Sequence, residues 1–311
     1  MQGGLARRVA FVDKTRTEGD KIIVVDSGSF YPDARALDPA KAKSKAELIG
    51  RIYRRMGVTA VNVSDLELQQ GIAFLKGEIT KGLPLTSANI IDIKGKLVFP
   101  NYKIKKVNKI RIGFFGLTRQ VLDEKLAERE GIAIKDPLTA ARDTVERLRK
   151  KADMIILISD LGHDLDRKIA AEVSNIDFVF DSRDVAYGYS QKLENAYLLT
   201  SSKDGKSIGK LRMLIENPSK PFAEDSADKI RQQIRDIDAN IQSFSKNAAN
   251  DENERMIKHM RQQRTQLQQR LSYSSKTRGN QFSWNSISLE KDVAEDRAVA
   301  EWIRKAGFDR D

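Results

Sequence analysis
From residue 21 to residue 180, short β-branched runs alternate with segments of helical period, and this alternation limits the fold more than any other feature. "KIIVVDSG" (21–28), "TAVNV" (59–63), "KIRIGFFGLT" (109–118), "DMIILIS" (153–159) and "IDFVF" (176–180) read as buried strands. Between them, "AKSKAELIGRIYRRMG" (42–57) places Leu48, Ile49, Ile52 and Met56 on one helical face and stops at Gly57. "DPLTAARDTVERLRKKA" (136–152) begins with Asp136 as N-cap and Pro137 at the first helical position. "ELQQGIAFLKG" and "DRKIAAEVS" complete the helices, and "AYLLTSS" with "SIGKLRMLIE" reads as a hairpin across "KDG". The expected class is α/β, with layered sheets flanked by helices. In such folds chemistry gathers at the C-terminal strand ends. There the chain delivers Asp160, Asp181, Arg183 and Asp184, with His163 nearby.

The texture changes at residue 222. Ile230, Ile234, Ile237, Ile241 and Phe244 follow steps of 4, 3, 4 and 3 on an otherwise polar helix. After a polar turn, Met256, Met260, Leu267 and Leu271 continue a similar seam. The pattern predicts a long antiparallel helical hairpin, with about 20 residues per helix and a reach of roughly 30 Å. The expected division is 1–221 for the layered domain, 222–278 for the helical arm, and 279–311 for a strand and helix packing back on the core.

The chain has 311 residues, no Cys, and a formal charge of +11. Disulfides, thiolate metal sites and cysteine nucleophiles are excluded. The basic excess is compatible with an anionic ligand, but no basic run interleaved with aromatics points to nucleic acid. No apolar run approaches the ~20 residues of a membrane span, and no signal-peptide pattern is present in this chain.

The ordered motifs resemble the 5′-nucleotidase-like branch of the calcineurin-like metallophosphoesterases. "GGLARRVAFVDKTR…KIIVVDSGSFY" resembles that family's glycine–arginine helix and "D-A-G-D" strand end, and "GVTAVNVSDLELQQG" its "G-N-H-E-F-D" segment. "LPLTSANI" resembles "P-x-L-x-A-N", and "KIRIGFFGLT" the strand before "G-L-T". "LISDLGHDLDRKIAAEVSNIDFVF" resembles the "S-H-L-G" segment that normally precedes "G-G-H-x-H". The resemblance spans residues 3–216. It implies a layered metallophosphoesterase-like β-sandwich flanked by helices, and a pair of divalent metals held by His, carboxylates and one Asn.

At the positions matching that ligand set the chain departs from the family. The strand-end carboxylate Asp26 is present, but the bridging Asp falls on Ser29, the Asn on Asp65 and the transfer-assisting His on Leu66. The His of "S-H-L-G" falls on Asp160, and the last two His fall on Arg183 and Val185. The family's first strand, with its "D-x-H", would precede Gly3. Asp181, Asp184 and His163 are candidate residual ligands. Arg183 puts a permanent cation where a metal would sit.

The expectation is therefore a non-catalytic domain without a metal cofactor, acting as a binding or assembly module. Its partner would be a protein engaged through residues 223–275. The alternative is a phosphohydrolase acting on nucleotides or other phosphate esters, with Mg²⁺ or Mn²⁺ on a rearranged carboxylate site. Tyr187 and Tyr189 could stack a base, and His259 reads as a solvated-face residue. The resemblance implies the bacterial cell envelope, periplasmic or extracellular.

Overall fold
The computed structural model describes residues 4–308, apart from 20, 182, 184–187, 202–204, 226, 247–250 and 275–278. Two compact units emerge, one of residues 1–210 with 285–311 and one of residues 211–284.

In chain order the elements begin with α1 (Leu5–Thr17), β1 (Val25–Asp26), α2 (Pro39–Met56), β2 (Ala60–Asn62), α3 (Asp65–Leu68), α4 (Ile72–Thr80), β3 (Leu85–Thr86) and β4 (Ile90–Asp92). They continue with β5 (Tyr102–Val107), β6 (Ile110–Thr118), α5 (Glu124–Glu130), β7 (Ile132–Ile134), α6 (Pro137–Leu148), β8 (Met154–Asp160), α7 (His163–Glu172) and β9 (Phe178–Asp181). The last are β10 (Ser190–Lys192), β11 (Tyr197–Thr200), β12 (Ser207–Leu214), β13 (Phe222–Glu224), α8 (Ala227–Lys246), α9 (Asp251–Ser274), β14 (Asn280–Ser288) and α10 (Arg297–Lys305).

Two sheets form the layered body of the first unit. A small parallel sheet has the order β1-β2-β3, and a six-stranded mixed sheet has the order β10-β11-β9-β8-β6-β5. β2 lies against β6 and β8, so the sheets face each other. The four-residue run Ile155–Ile158 is buried on both faces of β8, which explains why this strand is continuously apolar. One face of the large sheet packs on α6 and α7 through Phe115, Leu157, Val179 and Leu148. The outer face of the small sheet packs under α1, α2 and α4 through Val9, Ile52, Val61 and Leu75.

Part of the contact between the sheets is polar, built on the buried side chains of Asn62, Asn89 and Thr118. Asn62 Nδ2 donates to Ser27 O at 3.0 Å and to Leu117 O at 2.9 Å. Asn89 accepts from Thr118 N at 2.9 Å and donates back to Thr118 O at 2.6 Å. Thr118 Oγ1 donates to Val63 O. These amides and hydroxyls satisfy backbone groups at strand ends that no ladder reaches.

The helices start and stop where their caps dictate. Asp38 accepts from the N–H groups of Ala40 and Lys41, and Asp136 from that of Thr139, each just before a proline. α2 ends at Gly57 with φ 68°. α10 begins with Asp296 accepting from Val299 N, and Asp296 N donates to Ala6 O at 3.0 Å, tying this helix to α1. Val299 is buried there, and Arg51 stacks 3.7 Å from the centre of the Trp302 ring.

Some elements differ from the sequence-based expectation. β11 and β12 form no hairpin. β11 lies between β9 and β10, and β12 instead joins a sheet of order β12-β14-β13. Both ladder edges of β11 are already taken, parallel by β9 and antiparallel by β10. "KIIVVDSG" supplies only Val25–Asp26 to the ladder. "ELQQGIAFLKG" divides into α3 and α4 around Gly71 at φ 85°.

In the second unit, α8 and α9 pair antiparallel, with Arg264 Nε donating to Asp238 at 2.6 Å. Met256 is exposed, whereas Ile257, Met260, Arg264, Leu267 and Leu271 are half-buried. The α9 seam thus runs 257, 260, 264, 267, 271 in unbroken 3–4 steps. Starting it at Met256 would have put a second step of four before Met260 and skipped a turn after it. Arg264 holds a seam position because its head reaches Asp238 while its stem lies along the seam.

Gly116 marks a close approach of the two sheets. A Cβ there would stand 2.2 Å from Asn62 Oδ1 and 3.0 Å from Thr86 O. Gly116→Ala is expected to destabilise the protein by about 1–3 kcal/mol through overpacking. The urea midpoint measures it, and an unchanged midpoint would contradict this packing.

Candidate functional site
The site lies at the C-terminal ends of β1, β2, β8 and β9, where the strands hand over to turns. Its organiser is Glu67, in the first turn after β2. Ser64 and Glu67 form a capping box, with Ser64 N donating back to Glu67 Oε2 at 2.9 Å. The same carboxylate also receives three successive backbone N–H groups. Ser29 N reaches Oε2 at 2.9 Å, while Phe30 N and Tyr31 N reach Oε1 at 2.9 and 3.0 Å. Ser64 Oγ adds a fifth bond at 2.5 Å. Glu67 is fully buried, and burial pushes its carboxyl upward, opposed by the bonds from Ser64, Tyr31 and Ser29.

That clamp fixes the turn after β1. Gly28 has φ +105°, and a Cβ there would meet Asn62 O and Ser64 Cβ at 3.1 Å, so only glycine fits. Ser29 follows at φ 58°, an uncommon conformation for a side-chain-bearing residue. It places Ser29 Oγ 3.0 Å from Ser64 Oγ and 3.3 Å from Asp160 Oδ1.

Asp160 ends β8 and is 3 % exposed. Arg183 Nη1 donates to its Oδ1 at 2.5 Å and stands 3.6 Å from Asp65 Oδ1. Arg119, just past β6, closes the other side with Nη2 3.2 Å from Asp65 Oδ2. Asp181 Oδ1 accepts Arg183 N at 2.8 Å and so shapes the turn that presents the guanidinium. Burial raises Asp160 to about 7, against the pull of Arg183. Asp166, fully buried on α7 and bonded to Ser159 Oγ at 2.5 Å, is raised well above the carboxylate range by burial and by Asp181.

Ser29, Asp65, Asp160, Asp181 and Arg183 therefore come together, with Leu66 following Asp65 on α3. Asp26 makes its bonds elsewhere. It accepts from Gly28 N at 3.0 Å and from Tyr53 Oη at 2.8 Å, with Arg8 Nη1 at 3.5 Å. Burial and the Asp26 charge lift the Tyr53 hydroxyl well above its ordinary value. His163 opens α7, and its Nδ1 lies 3.3 Å from Tyr189 Oη. His259 is exposed on α9, beside Gln263 at 3.1 Å. Asp184, Val185 and Tyr187 lie outside the described residues.

These residues do not fit a divalent metal pair. Among the described residues, no group of three or more His, Cys, Asp and Glu could hold a metal ion. The guanidinium of Arg183 occupies the space between the two nearest carboxylates. What the arrangement does chemically is hold a buried charge network, in which Arg183 balances Asp160 and Asp65.

Glu67 and Arg119 escaped the sequence reading. The S-x-x-E spacing of Ser64 and Glu67 was a legible capping signal for the first. For Arg119, the only signal was a charge directly after a buried strand.

No protein-family model matches the sequence. The chain is 23 % identical over 224 residues to an uncharacterized metallophosphoesterase, YunD, of Bacillus subtilis, covering 67 % of this chain and 46 % of that protein. It is also 23 % identical over 181 residues to the trifunctional nucleotide phosphoesterase protein YfkN of the same organism, covering 51 % of this chain and 12 % of that one. Among solved structures, a 5′-nucleotidase precursor from Thermus thermophilus superposes with a TM-score of 0.66 at 17 % identity, over 98 % of this chain and 53 % of that one. The sulfate thiohydrolase SoxB of the same organism gives 0.60 at 19 % identity, over 68 % of this chain and 40 % of that one. The chain spans less than half the length of the curated relatives it matches.

Two outcomes follow from the charge network. Glu67→Gln presents an NH₂ group to backbone donors and should cost on the order of 3 kcal/mol, because at least one buried N–H loses its acceptor. Denaturant unfolding checks it, and a loss under about 1 kcal/mol would contradict the clamp. The second concerns pH. Asp160 titrates near 7 in the folded protein, above its ordinary 3.8, so the native state keeps a proton that the unfolded chain releases. Its stabilising contribution is complete below the unfolded value and is lost as pH rises through about 7. The stability of Asp160→Asn relative to the parent should therefore improve between about pH 4 and about pH 8. A pH-independent difference would contradict the raised value.

Proposed function
We propose that this chain, which has the 5′-nucleotidase-like fold of the calcineurin-like metallophosphoesterases, is a non-catalytic member of that group. It acts as a binding or assembly module. The observation that carries this reading is the placement of Arg183. A guanidinium keeps its proton at any physiological pH. It lies against Asp160 and within reach of Asp65, where a dication would have to displace it. The neighbouring groups are also unsuited to phosphoryl transfer. Ser29 is a neutral ligand, and Leu66 can neither donate a proton nor accept one.

In this reading the module meets a protein partner through the helical hairpin of residues 223–275, in the bacterial cell envelope on its periplasmic or extracellular side. The paired helices support the arm's role. Ile234, Ile237, Leu267 and Leu271 are half-buried along a coiled-coil-like seam, while Arg235, Arg261, Gln262 and Gln268 are exposed. Gln233, Asp236, Gln263 and Arg270 line a groove of about 410 Å³ between the helices. Polar faces of this kind suit reversible recognition.

A phosphohydrolase using Mg²⁺ or Mn²⁺ is the alternative. It draws on two buried carboxylate oxygens that accept no hydrogen bond among the described residues, Asp65 Oδ1 and Asp160 Oδ2. Calorimetry and turnover separate the two. The expected outcome is no saturable Mn²⁺ or Zn²⁺ binding, and no hydrolysis of a nucleotide or an aryl phosphate. Metal-dependent turnover that disappears in Asp160→Ala would establish the alternative.

A further inference from the structure
A second feature, independent of the reading above, is the free edge of the six-stranded sheet. β5 is its last strand and, among the described residues, pairs only with β6. Residues 102–110 read "YKIKKVNKI", with four lysines and no acid. Lys105, Lys106 and Lys109 are exposed and Lys103 is half-buried. Among the described residues, none of these four ammonium groups makes a hydrogen bond or an ion pair. Between them Ile104 is 38 % exposed.

Geometry makes this edge a strand template. β5 and β6 join through a two-residue turn at Asn108 and Lys109, with Asn108 at φ 55° and Val107 opposite Ile110. In such a hairpin the closing pair is hydrogen-bonded and the pairs then alternate. Val107, Lys105 and Lys103 therefore bond to β6, and Lys106, Ile104 and Tyr102 turn their N–H and C=O groups outward. An added strand would find a ladder of backbone partners with cations on both sheet faces. Lys103 and Lys105 share one face, and Lys106 lies on the other beside Ile104.

We propose that this edge docks an extended acidic polypeptide, which adds as a strand beside Tyr102–Val107. Charge complementarity selects acidic side chains, and Ile104 offers one apolar contact in the middle. An anionic lipid surface would match the lysines but leave the backbone ladder unused. Lysines on a bare edge also discourage edge-to-edge pairing between copies, and that is the role they would have if no partner adds.

The test uses the full chain and a fluorescent peptide of about seven residues alternating Glu and Val, followed by anisotropy at low salt. Two further probes are the same peptide N-methylated on every amide, so that neither edge can pair, and vesicles containing phosphatidylglycerol. The expected result is saturable binding of the parent peptide, weakened about tenfold or more by Ile104→Pro and by the triple change Lys103→Glu, Lys105→Glu and Lys106→Glu. Ile104→Pro keeps every charge and removes an outward N–H that β6 does not use, so it isolates the ladder. The triple variant serves where the proline variant fails to fold. The proposal is overturned by absence of saturable peptide binding, by equal binding of the N-methylated peptide, or by vesicle binding without peptide binding.

Discussion
One carboxylate holds the candidate site together. Glu67 accepts three consecutive backbone N–H groups from the turn after β1 and two donors from Ser64 after β2. A buried acid without such donors would be expelled or neutralised. With them it fixes two chain segments 35 residues apart in one geometry. Ser29 is brought within reach of Asp160 only because its backbone is held at positive φ by that clamp. The polar seam between the sheets continues the same logic through Asn62, Asn89 and Thr118. Strand ends that stop short of a ladder bond to buried amides instead.

The charge network above the clamp has its own consequence. Asp160 and Asp65 share Arg183, and Asp65 also meets Arg119. Removing one member of such a buried group costs about 3–5 kcal/mol, because its partner is left charged and dry. Replacing the group by well-packed apolar residues can be neutral. The network is therefore evidence for a defined geometry more than for stability. Its effect on Asp160 is a contest, and burial outweighs the guanidinium, leaving the acid near 7.

Much of this was legible in the sequence, and the rest was not for physical reasons. The alternation of β-branched runs with helical segments gave the layered α/β class, and Asp136 before Pro137 marked the start of α6. The pairing of β11 could not be read, because β-propensity says which residues form a strand and not which edge they meet. Met260, Leu267 and Leu271 of the α9 seam were legible, but its first position is Ile257 rather than Met256, and the charged Arg264 within it is a position that apolar counting skips. Ser29, Asp65, Asp160 and Arg183 were identified as a set by their motif positions. The bonds of Asp26 to Tyr53 and Arg8 were not, since they depend on how α1 and α2 pack. Glu67 fell outside that set because its role is to hold backbone, which no pattern of metal ligands marks.

The central claim is that Arg183 stands in the place of a metal ion. The most direct test is diffraction at the manganese edge from crystals grown with Mn²⁺ in excess. The account predicts guanidinium density between Asp160 and Asp65, and no anomalous peak there. An anomalous peak bridging the two carboxylates, with Arg183 swung aside, would contradict it.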